Sequence, residues 1–314
     1  MKKAVFAMLM CLGWASSQAQ ESQTTFNFLR LPVSAHAAAL GGENITIVED
    51  DPSLLFHNPS LLTNVSDKSI NLNFMSYMEG AKTASASFAK AINDKASWAV
   101  GAQYMDFGSM KEVTADNVIT GSFSAKDVLV SGSFAYVLSK HLAGGITAKF
   151  ISSSIAGYNA LAVGVDLGLN YYDEGRGLSV SAVARNLGGQ VKAYEDDFER
   201  MPLDLQVGVS KKLVGAPLRF SATLVKLNDW EDGLKKHIVV GADILLSEAI
   251  YIAGGYNFGR ADDMTIEDAE NSSSHGAGLS LGAGLQLERF KLQMAYAKYH
   301  VSSTSLLFSL TYSL

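Results

Sequence analysis

Residues 161–171, LAVGVDLGLNY, place Leu161, Val163, Val165, Leu167, Leu169 and Tyr171 at the odd positions and Ala162, Gly164, Asp166, Gly168 and Asn170 at the even ones. Such a period of two marks a strand with two unlike faces. Residues 277–287, AGLSLGAGLQL, repeat the pattern: Ala277, Leu279, Leu281, Ala283, Leu285 and Leu287 lie opposite Gly278, Ser280, Gly282, Gly284 and Gln286. A soluble sandwich would bury the large apolar face, but the other face is too small and polar to be merely a solvated surface. A wall between lipid and a crowded lumen explains both faces.

Outward from these two segments the alternation predicts about fourteen strands: 68–78, 81–92, 95–107, 127–139, 142–155, 157–172, 177–188, 203–213, 217–227, 235–247, 249–261, 276–287, 289–299 and 303–314. Most reach the ~9 to 11 residues that a tilted strand needs to cross the hydrocarbon layer, and an even count suits a bacterial outer-membrane barrel. No stretch past Asn64 approaches the ~20 apolar residues of a membrane helix. Every second connection is short (93–94, 139–141, 173–176, 214–216, 247–248 and 288–289), and the long ones, 108–126, 189–202 and 260–275, fall in the other set. Short turns on the periplasmic side and long loops outside give that parity.

Charge placement agrees, because a Lys or Arg facing lipid near the midplane costs ~2 to 4 kcal/mol. Lys149, Asp166, Arg185, Asp204, Asp243 and Lys291 fall on the small, inward face. Lys211 and Lys226 fall on the apolar face beside strand ends, where long side chains snorkel. Segment 81–92 has the weakest register, with Lys82 and Lys90 on the face of Phe88. Leu306, Phe308, Leu310, Tyr312 and Leu314 form one apolar stripe; a final strand of this kind is expected to pair with the first and close the edge.

Residues 28–62, FLRLPVSAHAAALGGENITIVEDDPSLLFHNPSLL, have no such alternation and carry Pro32, Pro52 and Pro59, three of the five prolines. They read as a folded plug inside the barrel. Before them, Lys2 and Lys3, an apolar run from Ala4 to Trp14 and the pattern Ser17-Gln18-Ala19 read as a signal peptide. The expected organisation is a signal peptide over 1–19, a plug over 20–64 and a barrel over 65–314. The fold class is all-β: a fourteen-stranded antiparallel transmembrane β-barrel with an N-terminal plug, exported to a Gram-negative outer membrane.

Cys11 is the single cysteine and lies in the signal, so the mature chain should hold neither a disulfide nor a cysteine nucleophile. The formal charge of −6 becomes about −8 without Lys2 and Lys3, which excludes the basic footprint of a nucleic-acid binder. His36, His57, His141, His237, His275 and His300 show no paired metal spacing, and no Gly-x-Ser-x-Gly elbow, phosphate loop or His-Glu-x-x-His appears. No catalytic residue, cofactor or metal is expected, and the chain is read as a non-enzyme. Glu49, Asp50 and Asp51 and the loop acids Glu195, Asp196, Asp197, Asp262, Asp263, Glu267, Asp268 and Glu270 have calcium-ligand chemistry; solvated turns are the preferred reading. Asp50, Asp51, Asn58 and Pro59 are expected to cap turns while Leu54, Leu55 and Phe56 bury.

The acidic pair Asp50-Asp51 followed by Asn58-Pro59 and Leu61-Leu62 resembles the N-terminal region of the FadL-like barrels, which have fourteen strands around an N-terminal hatch. Phe28-Leu29-Arg30-Leu31-Pro32, Ser34-Ala35 and Ala38-Ala39-Leu40-Gly41-Gly42 resemble, more narrowly, the PorQ/PorV family of the Bacteroidetes type IX secretion system. So do residues 104–108, YMDFG, and 121–127, GSFSAKD. The resemblance covers nearly the whole mature chain; His36 stands where it implies arginine, and Ser60 where it implies alanine. It implies Arg30, Pro32, Gly41, Gly42, Asp50, Asp51, Asn58 and Pro59 as plug residues. It further implies an anchor for a PorZ-like surface protein, with PorU and PorV as further partners in a complex that attaches cargo at the cell surface, in contact with outer-membrane lipid or lipopolysaccharide. Asp116, Glu195, Asp197, Asp262 and Asp263 on the long loops are the candidate partner contacts. The alternative is a transporter that passes hydrophobic small molecules through the lumen with the plug as gate.

Overall fold

The computed structural model describes residues 24–314 apart from 79, 115, 117, 231–232, 269–270, 274–275 and 301–302. The signal peptide expected over 1–19, Glu270 and His275 lie outside the described residues.

Fourteen strands close into one antiparallel barrel. In chain order they are β1 (Ser69–Ser76), β2 (Lys82–Asn93), β3 (Ala96–Val113), β4 (Ile119–Ser139), β5 (Leu142–Ile155), β6 (Tyr158–Asp173) and β7 (Leu178–Lys192). The second half comprises β8 (Asp204–Lys212), β9 (Leu218–Leu224), β10 (Ile238–Leu245), β11 (Ile250–Asn257), β12 (Leu279–Gln286), β13 (Phe290–Ala297) and β14 (Ser305–Ser313). Each strand pairs with its sequence neighbours. β14 pairs on one side with β13 (Leu310 opposite Leu292) and on the other with β1 (Leu310 opposite Leu72). Within the barrel the ring of strands has no open edge among the described residues, which is the condition for a sheet in hydrocarbon.

The usual burial pattern is inverted. Leu72, Phe74, Leu169 and Phe308 point outward and are 45 to 50% exposed, while Asn71, Asp166, Asp243 and Ser280 point inward and are at most 1% exposed. An apolar exterior around a polar interior has only lipid as its matching solvent, so the barrel is of the outer-membrane kind. A concavity of about 710 Å³ lies between Phe74, Ala283, Met294 and Phe308 and belongs to this lipid-facing side. The charged residues assigned to the small face do face inward: Lys149, Arg185, Asp204 and Lys291 are 4 to 7% exposed.

Two local expectations change and a third holds. The loop expected over 108–126 is mostly strand: β3 and β4 continue past the barrel as a hairpin, paired from Ser109 with Ser124 to Val113 with Ile119, with the Thr114 amide donating to the Val118 carbonyl at 2.9 Å. Polar and β-branched residues alternate poorly here because both faces meet water, so the stretch reads as loop. Lys226 is not on the wall, because β9 ends at Leu224; it takes a left-handed conformation (φ 53°) at the barrel mouth. In β2, Lys82 and Lys90 do share the outward face with Phe88, but Lys82 begins the strand and Lys90 lies near its end, positions from which a long side chain can snorkel.

Leu310 sits in the lipid-facing row opposite both Leu72 and Leu292. Leu310→Arg should cost ~2 to 4 kcal/mol of folding stability in bilayers, whereas Leu314→Arg at the rim should cost ~1 kcal/mol or less; urea titration of vesicle-embedded protein measures the difference.

Candidate functional site: the plug and its lumen cavities

The plug is built from short turns that its own sequence caps. A single-turn 3₁₀ helix (Asn27–Arg30) leads to α1 (Ala35–Ala39), where the Ser34 hydroxyl accepts from the Ala37 amide. Two further 3₁₀ helices, Pro52–Phe56 and Pro59–Asn64, follow one recipe spaced seven residues apart, Asx-Pro-Ser-Leu-Leu. The Asp51 carboxylate accepts from the Ser53 amide and hydroxyl (2.8 and 2.7 Å), and the Asn58 carbonyl oxygen accepts from the Ser60 amide and hydroxyl (3.0 and 2.6 Å). Proline fits the first helical position because no intrahelical acceptor awaits its missing N–H. Leu54, Leu55, Leu61 and Leu62 are fully buried. Ser60 therefore contributes a hydrogen bond that alanine at that position could not make.

Between the two turns sits His57, whose Nε2 accepts from the Val33 and Ser34 amides (3.3 Å each). Burial, with the Arg185 and Lys149 charges nearby, pushes its pKa down to about 3. It is a neutral acceptor.

The barrel meets the plug closely because inward glycines clear a path. A Cβ on Gly168 would collide with Asn58, and one on Gly255 with the backbone of Leu40 and Gly41. Gly41 and Gly42 themselves have φ of 101° and 97°, which only glycine adopts readily. They turn the chain out of α1.

Three ion pairs fasten plug to wall among the described residues. Glu43 accepts from Arg185 of β7 (3.1 Å) and also from Gln206 of β8 (3.0 Å). Glu49 pairs with Lys291 of β13 at 2.7 Å. His36 pairs with Asp243 of β10 at 2.7 Å through Nε2, while its Nδ1 lies 3.0 Å from Glu49. Arg219 of β9 holds the other oxygen of Asp243 at 2.6 Å, and the His36 ring stacks on Tyr251 at 4.0 Å. Burial alone would raise the Glu49 pKa, but the His36 and Lys291 charges outweigh it and hold the carboxyl well below its ordinary 4.5. Burial alone would lower the His36 pKa; Glu49 and Asp243 outweigh it and hold the imidazole above its ordinary 6.5.

Two cavities flank α1. The one on the short-turn side, about 220 Å³, is lined by His36, Glu49, Arg219, Glu248, Tyr251 and Lys291. The one on the long-connection side, about 300 Å³, is lined by Arg30, Gly42, Lys226, Arg260 and Tyr299 among others. Arg260 lies on α2 (Phe258–Asp263) and is committed to the Ala277 and Gly278 carbonyls and the Ser280 hydroxyl. A third space, lined by Pro32 and Val33, is about 10 Å³.

The structure brings Arg30, Pro32, Gly41 and Gly42 to these lumen spaces and makes Asp51 and Asn58 caps. Asp50 accepts from the Ser66 amide (2.8 Å) and hydroxyl, tying the plug to the start of β1. Glu49, read from sequence as part of a solvated turn, is instead largely buried in the ionic cluster. Of the loop acids, Asp116 is exposed at the hairpin tip, Glu195 and Asp197 are exposed on 193–203, and Asp262 and Asp263 pair with Lys236 (3.2 and 3.4 Å), with Asp263 and Lys236 lining the cavity of about 300 Å³. Sequence reading found the inward wall charges but not their partners His36, Glu43 and Glu49. The available signal was that buried charges in a closed lumen need opposite charges nearby.

Two outcomes follow from this stitching. Gly255→Val should leave a closed barrel but displace the plug, exposing residues 24–65 to protease in detergent. Glu49→Gln strands the Lys291 ammonium and should weaken plug attachment by ~3 to 5 kcal/mol. Because the Glu49 pKa is depressed, its contribution is complete above pH ~4.5 and is lost as pH falls through the lower folded value; acid should therefore release the wild-type plug while the variant loses that limb.

No family model matches the chain, and no curated protein does. Solved structures do. The toluene transporter TbuX of Ralstonia pickettii aligns with a TM-score of 0.62 at 13% identity, over 91% of this chain and 100% of that one. The toluene transporter TodX of Pseudomonas putida gives 0.55 at 12% identity, over 90% and 96%. A Pseudomonas aeruginosa FadL homologue gives 0.52 at 14% identity, over 90% and 99%. At such identities the likeness shows the fold. This chain is a fourteen-stranded outer-membrane β-barrel of the FadL-like fold, closed around its own N-terminal segment.

Proposed function

We propose that the barrel works closed, as a membrane anchor for the surface machinery of type IX secretion, holding a PorZ-like protein and through it PorU and PorV. The observation that carries this reading is the fastening of the plug by ion pairs to β7, β10 and β13 across a polar lumen. A path for oily molecules needs a mostly apolar lining, whereas the inward rows mix Ser, Thr, Asn, Gln and charged groups with apolar side chains such as Met75, Met105, Leu129 and Ile151 that are already buried in one cluster with the plug. The resemblance of residues 28–42, 104–108 and 121–127 to PorQ-type proteins supports the same reading. The long connections would dock the partner. The β3–β4 hairpin stands in water on both faces, with Val113, Val118 and Ile119 48 to 58% exposed, and a lone two-stranded ribbon is marginal without cover. Asp116 at its tip, Glu195 and Asp197 on 193–203 and Asp262 and Asp263 on α2 share that rim.

A second reading, a channel for small hydrophobic molecules with the plug as its gate, is supported by the fold shared with the two toluene transporters. The functions named for these solved neighbours favour the channel over the anchor. Deleting the gene in its native host separates the two. Loss of surface-attached cargo with unchanged uptake of toluene-like compounds supports the anchor; normal secretion with reduced uptake supports the channel.

Replacing residues 110–122 by a tight turn should leave a heat-modifiable barrel and lower recovery of the PorZ-like partner in a pull-down by about tenfold. Full recovery counts against the hairpin as docking surface.

A further inference from the structure

Helix α1 is the partition between the two lumen cavities: His36 faces the short-turn side, and Gly41 and Gly42 face the long-connection side. On the short-turn side a single imidazole fastens it to the wall. Nδ1 is 3.0 and 3.1 Å from the two Glu49 oxygens, and Nε2 is 2.7 Å from Asp243. A neutral imidazole has one N–H and one lone pair, so it can donate to only one of these carboxylates and must aim its lone pair at the other. Two carboxylates on two ring nitrogens require the imidazolium.

The titratable and charged groups around the ring are Glu49 from the plug, Asp243 from β10, Arg219 from β9, Lys291 from β13 and the stacked Tyr251 from β11. Asp50 and Glu248 line the same cavity, and Asp51 adjoins Asp50. Arg219 opposes the ring charge: its Nη2 lies 3.2 Å from Nε2. Once His36 is neutral, that guanidinium can donate to the bare Nε2 while Nδ1–H stays with Glu49. The contact that then fails is the one to Asp243, because a lone pair and a carboxylate at 2.7 Å repel. The Glu49 contact lies within the plug and persists; the Asp243 contact joins plug to barrel and does not.

We propose that the proton on His36 is a latch holding α1 to the barrel wall, and that its loss at alkaline pH frees residues 35–42 from β10 and loosens the partition between the two cavities. The sign is that of a group bound more tightly when protonated: the latch is complete below pH ~6.5 and is lost as pH rises through the higher folded value. His57 does not confuse the readout, since it is neutral throughout that range.

Hydrogen exchange of the full mature chain in nanodiscs, corrected for the intrinsic base-catalysed rate, tests this. The amides of Ala38, Leu40 and Gly42, bonded to the Ser34, His36 and Ala37 carbonyls, should lose about tenfold in protection between pH ~6 and pH ~9. His36→Arg keeps a permanent, forked cation against both carboxylates, so its protection should stay high and flat. His36→Gln should exchange at both pH values as wild type does when alkaline. If His36→Arg fails to insert, Asp243→Asn serves instead and should be low and flat. Flat wild-type protection, or an undiminished alkaline fall in His36→Arg or Asp243→Asn, overturns the latch.

Discussion

Everything in this molecule follows from placing a sheet in a solvent that cannot hydrogen-bond. Hydrocarbon outside forces the ring of strands to close, since an open edge would leave backbone groups unpaired. Closure turns the other face of every strand into an interior that water only partly reaches. Polar groups there must find partners, and the chain's own N-terminal segment supplies them: Glu43 for Arg185, Glu49 for Lys291 and His36 for Asp243. Barrel and plug are each incomplete without the other. Wall also pairs with wall, as Lys149 with Asp166 at 2.6 Å beside the left-handed Asn186.

Much of the plug's order is local. Asp51 caps a turn of five residues and Asn58 one of six, and each turn drives two leucines inward, so two small apolar wedges are specified locally. The two plug histidines show how strongly surroundings decide a side chain's role. His57, among backbone amides and positive charge, is an acceptor; His36, between two carboxylates, is held toward its protonated form.

Alternation alone located all fourteen strands, because a wall between lipid and a packed lumen imposes a period of two that few other constraints disturb. It failed where that constraint lapses. Past Asp106, both faces of β3 and β4 meet water, the alternation fades, and strand looked like loop. Lys226 was placed on the wall because Leu224 and Val225 extend the apolar run, although Val225 is already turned inward at the mouth. In the plug, the turn caps could be read because Asx and proline act on their nearest neighbours. The ionic cluster could not, because His36 and Asp243 are 207 residues apart and only the closed ring brings them together.

The strands differ greatly in height. β3 and β4 run 18 and 21 residues, while β9 and β10 run 7 and 8. The rim is therefore a slope rather than a level ring, with the two-stranded fin at its crest and the loop bearing Lys226 and Lys236 at its foot. The outer face is lopsided, and a body resting on it would touch the fin well before it reached the low flank.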